Sequence, residues 1–172
     1  MNVLTHLIRV LVLVACFLAP HSTFAEGLKP YEPLDPAKAQ SLATSPLTIT
    51  SGKNVFKFTV ELAETPEQRD IGLMHRAHMD SKHGMIFDFK NEQRVRFWMR
   101  NTFIPLDMVF IRANGRIAAI MKNVRPHDET PVGPNEPVQA VLEIVGGASD
   151  LLGLKVGDTV SHDIFKSRPE KP

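Results

Sequence analysis

Short runs of apolar residues, each ended by glycine, proline or asparagine, make up most of the sequence after residue 45. In VFKFTVEL (55–62), apolar and polar side chains alternate, which is the pattern of a strand with one buried face. LTIT (47–50) precedes this run, and the turn-like SGKN (51–54) between the two predicts a hairpin. The length and the period of these runs indicate that the chain folds mainly as β-sheet.

One segment carries a clear helix start. Thr65 has the character of an N-cap, Pro66 occupies the first helical position, and Gln68 completes a capping box. The sequence predicts a helix over 65–79, in which the apolar residues at helical spacing face the core. These residues are Leu73, Met74 and Ala77.

Further strands, mostly joined by tight turns, are predicted in the rest of the chain. Their segments are MIFDF (85–89), LDMVFI (106–111), RIAAIMKNV (116–124), VQAVLEIV (138–145) and DTVSHDIF (158–165). Asn114-Gly115 favours a two-residue turn, and GGASDLLG (146–153) favours a short helix. We expect a single β-rich α+β domain over 46–166, with a compact antiparallel or mixed sheet or a barrel-like form. One helix should lie in its N-terminal half and a short one in its C-terminal half.

The first 25 residues have the pattern of a cleaved secretory signal peptide. Arg9 is their only charged residue, the apolar run 10–20 is short for a membrane span, and Thr23 and Ala25 are the small residues of a cleavage site. A retained membrane anchor is the alternative. Residues 26–45 are rich in proline and lack apolar periodicity, which predicts an extended leader. Residues 167–172 are expected to form a tail.

Cys16, the one cysteine of the chain, allows another interpretation, because LVAC (13–16) resembles the lipobox of bacterial lipoproteins. Cleavage after Ala25 is favoured, since the apolar run continues past Cys16, and it predicts a periplasmic or secreted protein without disulfide or thiol nucleophile. Loss of Arg9 leaves 19 of the 20 basic residues against 19 acidic ones. This balance argues against general attraction to nucleic acid or anionic membranes. We therefore expect no nucleic-acid partner and, after cleavage, no stable membrane insertion.

Five segments spread over the folded part of the chain point to a known family. They are VELAETPEQRDIGLMHR (60–76), GMIFDF (84–89), FWMRNTFIPLDMVFI (97–111), VQAVLEIVGG (138–147) and LGLKVGD (152–158). Together they resemble an uncharacterised bacterial and archaeal family, catalogued as domain of unknown function 192, and FWMRNTFIPLD is the most specific part. The resemblance implies a compact β-rich domain and carries no established activity.

The stretch RVRFWMRNTFIPLD (94–107) places the only tryptophan of the chain among three arginines. If the stretch is a strand, Val95, Phe97 and Met99 point to one side, while Trp98 and the arginines point to the other. The second face suits cation–π packing or the binding of a small anionic or sugar-like ligand. A solvated edge, on which the arginines pair with acidic residues, explains the same pattern.

We expect a candidate ligand site where this stretch meets the predicted helix. Its residues are Arg69, Arg76, Trp98, Arg100, Asn101, Thr102 and Asp107. Asp107 begins an apolar run, so its carboxylate needs partners. It either caps the backbone amides of Asn101 and Thr102 or acts as a base in a pocket. The favoured interpretation is an exported, non-catalytic ligand-binding or accessory protein of the cell envelope, for which no cofactor is expected.

Two alternative functions stay open. Asp107, Glu143 and His162 could serve an envelope hydrolase, although the sequence contains no recognised catalytic motif. Residues His75, His78 and Met79 would share one face of the predicted helix, with side chains that suit a copper-handling periplasmic protein. Exposed histidines without a metal explain the same positions, because no recognised ligand spacing occurs.

Overall fold

The computed structural model describes residues 31–166, which form a seven-stranded sheet with two short α-helices. The strands are β1 (Thr44–Ser51), β2 (Asn54–Ala63), β3 (His83–Gln93), β4 (Leu106–Ile111), β5 (Ile117–Val124), β6 (Val138–Val145) and β7 (Thr159–Ser161). The α-helices are α1 (Pro66–Ile71) and α2 (Ala148–Leu151), and 3-10 turns occupy Pro36–Lys38 and Asp163–Phe165. The predicted signal peptide and tail lie outside the described residues.

The strands follow the order β5-β4-β6-β3-β2-β1-β7 in one curled, half-barrel sheet. β2 and β3 pair in parallel, and their connection contains α1, as a parallel pair requires a crossover segment. The other neighbouring strands are antiparallel. The predicted β-rich α+β class with a mixed sheet and two small helices is confirmed. Within residues 31–166, no helix is long and apolar enough to cross a membrane.

The sheet buries apolar side chains on both of its faces. β4 is buried at every position, as expected for a central strand that is apolar on both sides. Val109 and Ile111 of β4 belong to the first core, which also contains Leu47, Ile49, Phe58, Val60, Ile86, Leu142 and Ile144. Met108 and Phe110 belong to the second core, which also contains Leu73, Met85, Phe87, Val95, Met99 and Val141. A residue's position in β4 or β6 therefore decides which of the two cores it faces.

The predicted helix over 65–79 is correct at its start and wrong in its length. Thr65 caps α1 through a capping box with Gln68, as the sequence indicated. The helix ends at Ile71, because Gly72 adopts a φ of +50° while its amide donates to the Gln68 carbonyl. A positive φ ends a helix and favours glycine. As a result, Ala77 is exposed and only Leu73 of the three predicted core residues is fully buried.

The last predicted strand, DTVSHDIF (158–165), is also shorter than expected. Only Thr159–Ser161 pairs with β1, and a 3-10 turn follows at Asp163–Phe165. His162 begins this turn, because its ring Nδ1 accepts a hydrogen bond from the Ile164 amide at 3.4 Å. A side chain that caps its own backbone competes with continued strand pairing.

Candidate functional site

The stretch 94–107 begins as an extended segment beside the second core rather than as a strand of the sheet. Phe97 forms an isolated β-bridge with Val132 through two backbone hydrogen bonds of 2.9 and 2.8 Å. The predicted alternation of side chains is nevertheless present. Met99 is buried in the second core, whereas Trp98 is 51% exposed. The loop before β6 supplies this hydrogen-bonding partner. The stretch therefore packs against the second core without joining the sheet at this point.

A pocket of about 610 Å³ opens between this stretch, α1 and β3. Its apolar lining includes Leu73, Met74, Phe87, Phe89, Phe97 and Trp98, and its polar lining includes Arg69, Asp70, Gln93, Arg96, Thr102 and Glu143. Clefts of this volume with aromatic walls and a few convergent polar groups are typical of small-molecule sites. We refer to this cleft as the Glu143 pocket.

Glu143 lies in the middle of β6, directly opposite Met85 of β3 and Met108 of β4. Both methionines are fully buried, and Glu143 itself is only 4% exposed. Within residues 31–166, burial is the only influence on its carboxyl group, which has no hydrogen-bond or ion-pair partner there. Burial raises the pKa of Glu143 to about 8, because water no longer stabilises the carboxylate. At neutral pH the pocket lining therefore includes an uncharged carboxylic acid, which offers one O–H donor together with acceptor oxygens.

Two arginines stand on the wall of the Glu143 pocket, and backbone groups hold both. The Arg69 guanidinium lies 5.0 Å from the centroid of the Phe89 ring and donates to the carbonyl oxygen of Asp88 at 3.0 Å. Arg96 donates to the side-chain oxygen of Asn135 at 3.0 Å and to neighbouring carbonyls. These contacts fix the guanidinium groups without neutralising them, because carbonyl oxygens carry no net charge.

Three of the seven residues predicted for the ligand site line this pocket: Arg69, Trp98 and Thr102. Arg100 and Asn101 follow Trp98 in sequence and lie outside the lining. Asn101 adopts a φ of +51°, and its carbonyl oxygen accepts from the backbone amide of residue 75 at 2.9 Å. Asn101 therefore links this stretch to the turn after α1.

Arg76 is placed away from the pocket by an ion pair. Its guanidinium makes two contacts with the Glu61 carboxylate, at 2.6 and 2.9 Å, and donates to the Gln40 carbonyl at 2.7 Å. Both partners of the ion pair are largely buried. Arg76 thus joins the segment after α1 to β2, and the structure does not bring it near Trp98.

Asp107 is fully buried and satisfies three backbone amides. One carboxylate oxygen accepts from Asn123 at 2.7 Å and from Gly147 at 2.9 Å, while the other accepts from Ser149 at 2.7 Å. These bonds join the end of β5 to the start of α2. The capping role suggested by the sequence is present, but the amides of residues 101 and 102 are not its partners. Asp107 pairs with Ile144, so it faces the first core, away from the pocket.

The residues of the hydrolase alternative are not brought together. Glu143 and Asp107 lie on opposite faces of the sheet, and His162 hydrogen-bonds to the Ser45 hydroxyl at 2.7 Å. Because His162 Nδ1 accepts from the Ile164 amide, the proton of the neutral ring lies on Nε2 and is donated to Ser45. Burial lowers the pKa of His162, which favours this neutral form. In this tautomer the ring donates to the serine hydroxyl and does not accept its proton.

The residues of the copper alternative do not share a helix face, because α1 ends at Ile71. His75 is buried, with a φ of +59°, and its Nδ1 accepts from the Asp35 amide at 3.3 Å. His78 is exposed, and Met79 is partly buried. In the part of the chain that the structure describes, no group of three His, Cys, Asp or Glu residues could hold a metal ion.

Glu143 and Arg96 belong to the pocket, although the predicted ligand site did not include them. The available signal for Glu143 is one acidic residue inside the otherwise apolar end of VQAVLEIV (138–145). A carboxyl group in a strand that is buried on both faces needs either a partner or a pocket. Alternation along 94–107 places Arg96 on the side of Trp98, but it does not predict the contacts of Arg96 with the loop before β6.

A comparison with family models matches residues 47–162 to DUF192, described as uncharacterized ACR. The chain belongs to this family. The resemblance noted in the sequence is thereby confirmed, and no activity is established for DUF192 proteins by this match.

Two solved structures resemble this DUF192 protein closely. One is a protein of Sinorhizobium meliloti 1021 named a "putative transcription regulator", with 40% sequence identity and a TM-score of 0.71. The match covers 73% of this chain and 98% of that one. The other is a protein of unknown function from Novosphingobium aromaticivorans DSM 12444, with 38% identity, a TM-score of 0.69 and coverage of 77% and 91%. A comparison with curated proteins finds no match.

Proposed function

We propose that this DUF192 protein is a non-catalytic binding protein for a small ligand with an anionic group and a hydroxyl or carbonyl group. The observation that carries the proposal is the buried, unpartnered carboxyl group of Glu143 in the lining of an aromatic-walled pocket. A buried polar group without a protein partner destabilises the fold, and a ligand that hydrogen-bonds to it recovers this free energy. Glu143 as an uncharged acid can both donate to and accept from such a ligand.

The charges of the lining favour an anionic group on the ligand. Arg69 and Arg96 contribute two positive charges, Asp70 contributes one negative charge, and Glu143 is uncharged at neutral pH, which leaves one net positive charge. Trp98 adds an exposed aromatic face at the rim, on which a sugar ring or an aromatic ring can stack. The combination suits an acid that also bears hydroxyl groups.

Trp98 also provides the readout for a binding test, because it is the only tryptophan and lines the pocket. We expect glucuronate or 4-hydroxybenzoate to change the Trp98 emission and raise the melting temperature, and neutral glucose to do so less. Arg69→Ala should weaken the response about tenfold, as expected for loss of a charge-assisted contact. The matched control is Arg125→Ala, which removes an exposed arginine outside the pocket. No response to any anionic probe, or an equal response in Arg69→Ala, contradicts the proposal.

We also propose that the protein acts in the cell envelope after removal of residues 1–25. The support is the sequence pattern of that segment, with a short apolar run and small residues before Glu26. Intact mass measurement of the exported protein should give a chain that begins at Glu26. A lipid-modified chain that begins at Cys16 would place the protein on the lipoprotein route instead.

A role on DNA, as in the name of the S. meliloti protein, has less support in this chain. Its 20 basic and 19 acidic residues are almost balanced, whereas DNA-binding domains rely on a marked excess of positive charge.

A further inference from the structure

We propose that the free edge of β2 beside α2 binds an extended peptide with alternating apolar and acidic residues, which adds to the sheet as a further strand. This site is separate from the Glu143 pocket and does not depend on the small-ligand proposal. Its basis is a set of unpaired backbone groups next to an apolar groove with two lysines.

The edge arises because β2 is longer than its pairing with β3. β2 pairs with β1 over residues 54–61, whereas its pairing with β3 covers only residues 59–63. Within residues 31–166, the first five residues of β2, 54–58, therefore have a neighbouring strand on one side only. An open edge of this kind presents unpaired N–H and C=O groups that a further strand can bind.

The hairpin geometry identifies which groups point outward. Ser51 and Asn54 close a two-residue turn in which Gly52 has a φ of +58°. Hydrogen-bonded and non-hydrogen-bonded pairs alternate from that closing pair, so residues 56 and 58 bond towards β1. Val55 and Lys57 then direct their N–H and C=O groups away from β1. Residue 59 follows in the same alternation and should also direct its amide away from β1. It does so, because this amide donates to the backbone carbonyl just before β3 at 2.9 Å.

A groove of about 420 Å³ lies along this edge, with α2 as its other wall. Its apolar lining is formed by Phe56, Phe58, Ala148, Leu151 and Leu152. Leu151 is 86% exposed, an unusual position for a leucine unless a partner covers it. A peptide strand bound here would cover Leu151 and would also hydrogen-bond to the free edge of β2.

The charge of the groove indicates the chemistry of the peptide. Lys57 and Lys82 line it, and neither is ion-paired with a carboxylate within residues 31–166, whereas four other lysines in that range are. Side chains of an added strand alternate between the two faces of the sheet. One set would pack beside Phe56 and Phe58 against α2, and the other set would lie beside Lys57. Apolar residues fit the first set and acidic residues fit the second.

A lipid surface satisfies only part of this arrangement. Anionic headgroups can neutralise Lys57 and Lys82, and acyl chains can cover Leu151. Headgroups and acyl chains do not supply the paired donors and acceptors that the outward groups of Val55 and Lys57 require. A peptide backbone supplies both, so the peptide is the favoured occupant.

Selection from a phage-displayed heptapeptide library against the purified protein tests the proposal. Enriched peptides should alternate apolar and acidic residues and should slow amide hydrogen exchange at Val55 and Lys57. Lys57→Pro removes the outward N–H without touching the bonds to β1 and should weaken peptide binding at least tenfold. Lys57→Ala retains that N–H and should weaken binding less. Lys38→Ala, at an exposed lysine outside the groove, should leave binding unchanged.

A second variant keeps the test decisive if Lys57→Pro does not fold. Leu151→Asp leaves the backbone of β2 intact and places a negative charge in the apolar wall, so it should also weaken binding at least tenfold. Failure to enrich any peptide overturns the proposal. Peptides that bind the folded variants as well as they bind the parent protein overturn it too, and anionic vesicles that bind in place of peptides do the same.

Discussion

Asp107 and Glu143 are both buried acids on adjacent central strands, yet they have opposite surroundings. Asp107 faces the first core and accepts three backbone hydrogen bonds of 2.7–2.9 Å. Glu143 faces the second core, next to two methionines, with no partner in residues 31–166. The two acids belong to consecutive pairs of the β4–β6 ladder, Asp107 with Ile144 and Glu143 with Met108, and consecutive side chains of a strand face opposite sides of the sheet.

The difference shows that burial alone does not separate structural from functional carboxyl groups. The hydrogen bonds of Asp107 use both carboxylate oxygens to stabilise the chain itself, because they hold the start of α2 on the end of β5. Glu143 keeps its hydrogen-bonding capacity, and its raised pKa records the free energy that burial costs. Because Glu143 lines the pocket, a ligand there could form the hydrogen bonds that the protein does not form with this carboxyl group.

The largest effect that follows from this contrast is the loss of Asp107. Asp107→Ala leaves three buried amides without acceptors, and we expect the free energy of unfolding to fall by about 5 kcal/mol. Asp107→Asn keeps one acceptor oxygen and should lose about half as much. Urea unfolding at pH 7 measures both. A loss below about 1 kcal/mol for the alanine variant would show that these bonds do not support the fold.

Glu143 should give the opposite response, and the response should depend on pH. Its pKa of about 8 in the folded chain lies above the ordinary 4.5, so the folded state holds a proton that the unfolded state releases. The contribution of Glu143 to stability is therefore complete below pH 4.5 and is lost progressively by about pH 8. Glu143→Gln, an uncharged isostere, removes this loss. Relative to the variant, the parent protein should lose about 3 kcal/mol between pH 5 and pH 8.

Urea unfolding of both proteins at a series of pH values checks this. Parallel pH profiles of the parent protein and Glu143→Gln would mean that Glu143 is ionised in the folded chain, and the distinction from Asp107 would fail.

A smaller difference in stability is expected between two neighbouring residues, Met99 in the core and Trp98 at the pocket rim. Met99 is buried in the second core, and Met99→Ala should cost about 3 kcal/mol through the cavity that it leaves. Trp98 is half-exposed at the pocket rim, and Trp98→Ala should cost about 1 kcal/mol. Thermal and denaturant unfolding of the two variants compare them. Equal losses would assign Trp98 to the scaffold.

Local patterns predicted most of the fold. The capping box at Thr65, the alternation in β2 and the apolar character of β4 each depend on neighbours in sequence, and the structure has each feature. The predicted helix failed in length because Gly72 adopts a positive φ, which the sequence permits but does not require. The copper interpretation loses its structural premise for the same reason, since it depended on the helical spacing of His75 and His78.

The candidate site was only partly predictable, because it depends on pairing between distant segments. The alternation around Trp98 correctly separated the buried and exposed sides of that stretch. It did not show that Arg76 bonds to Glu61, or that Glu143 and Trp98 line the same pocket, since both depend on how distant segments pair. The sequence pattern indicates which face of a strand a side chain occupies. The residues that this side chain contacts depend on how the strands pair in the sheet.

The most direct test of the account is an NMR titration of the Glu143 carboxyl carbon, with Glu143→Gln to assign the signal. The account predicts an apparent pKa near 8, because the group is buried between Met85 and Met108 without a partner. It also predicts that an anionic ligand found in the fluorescence screen will perturb this carbon signal. A pKa near 4.5 would contradict the account, because Glu143 would then be an ordinary ionised carboxylate and not an uncharged acid in the lining of the pocket.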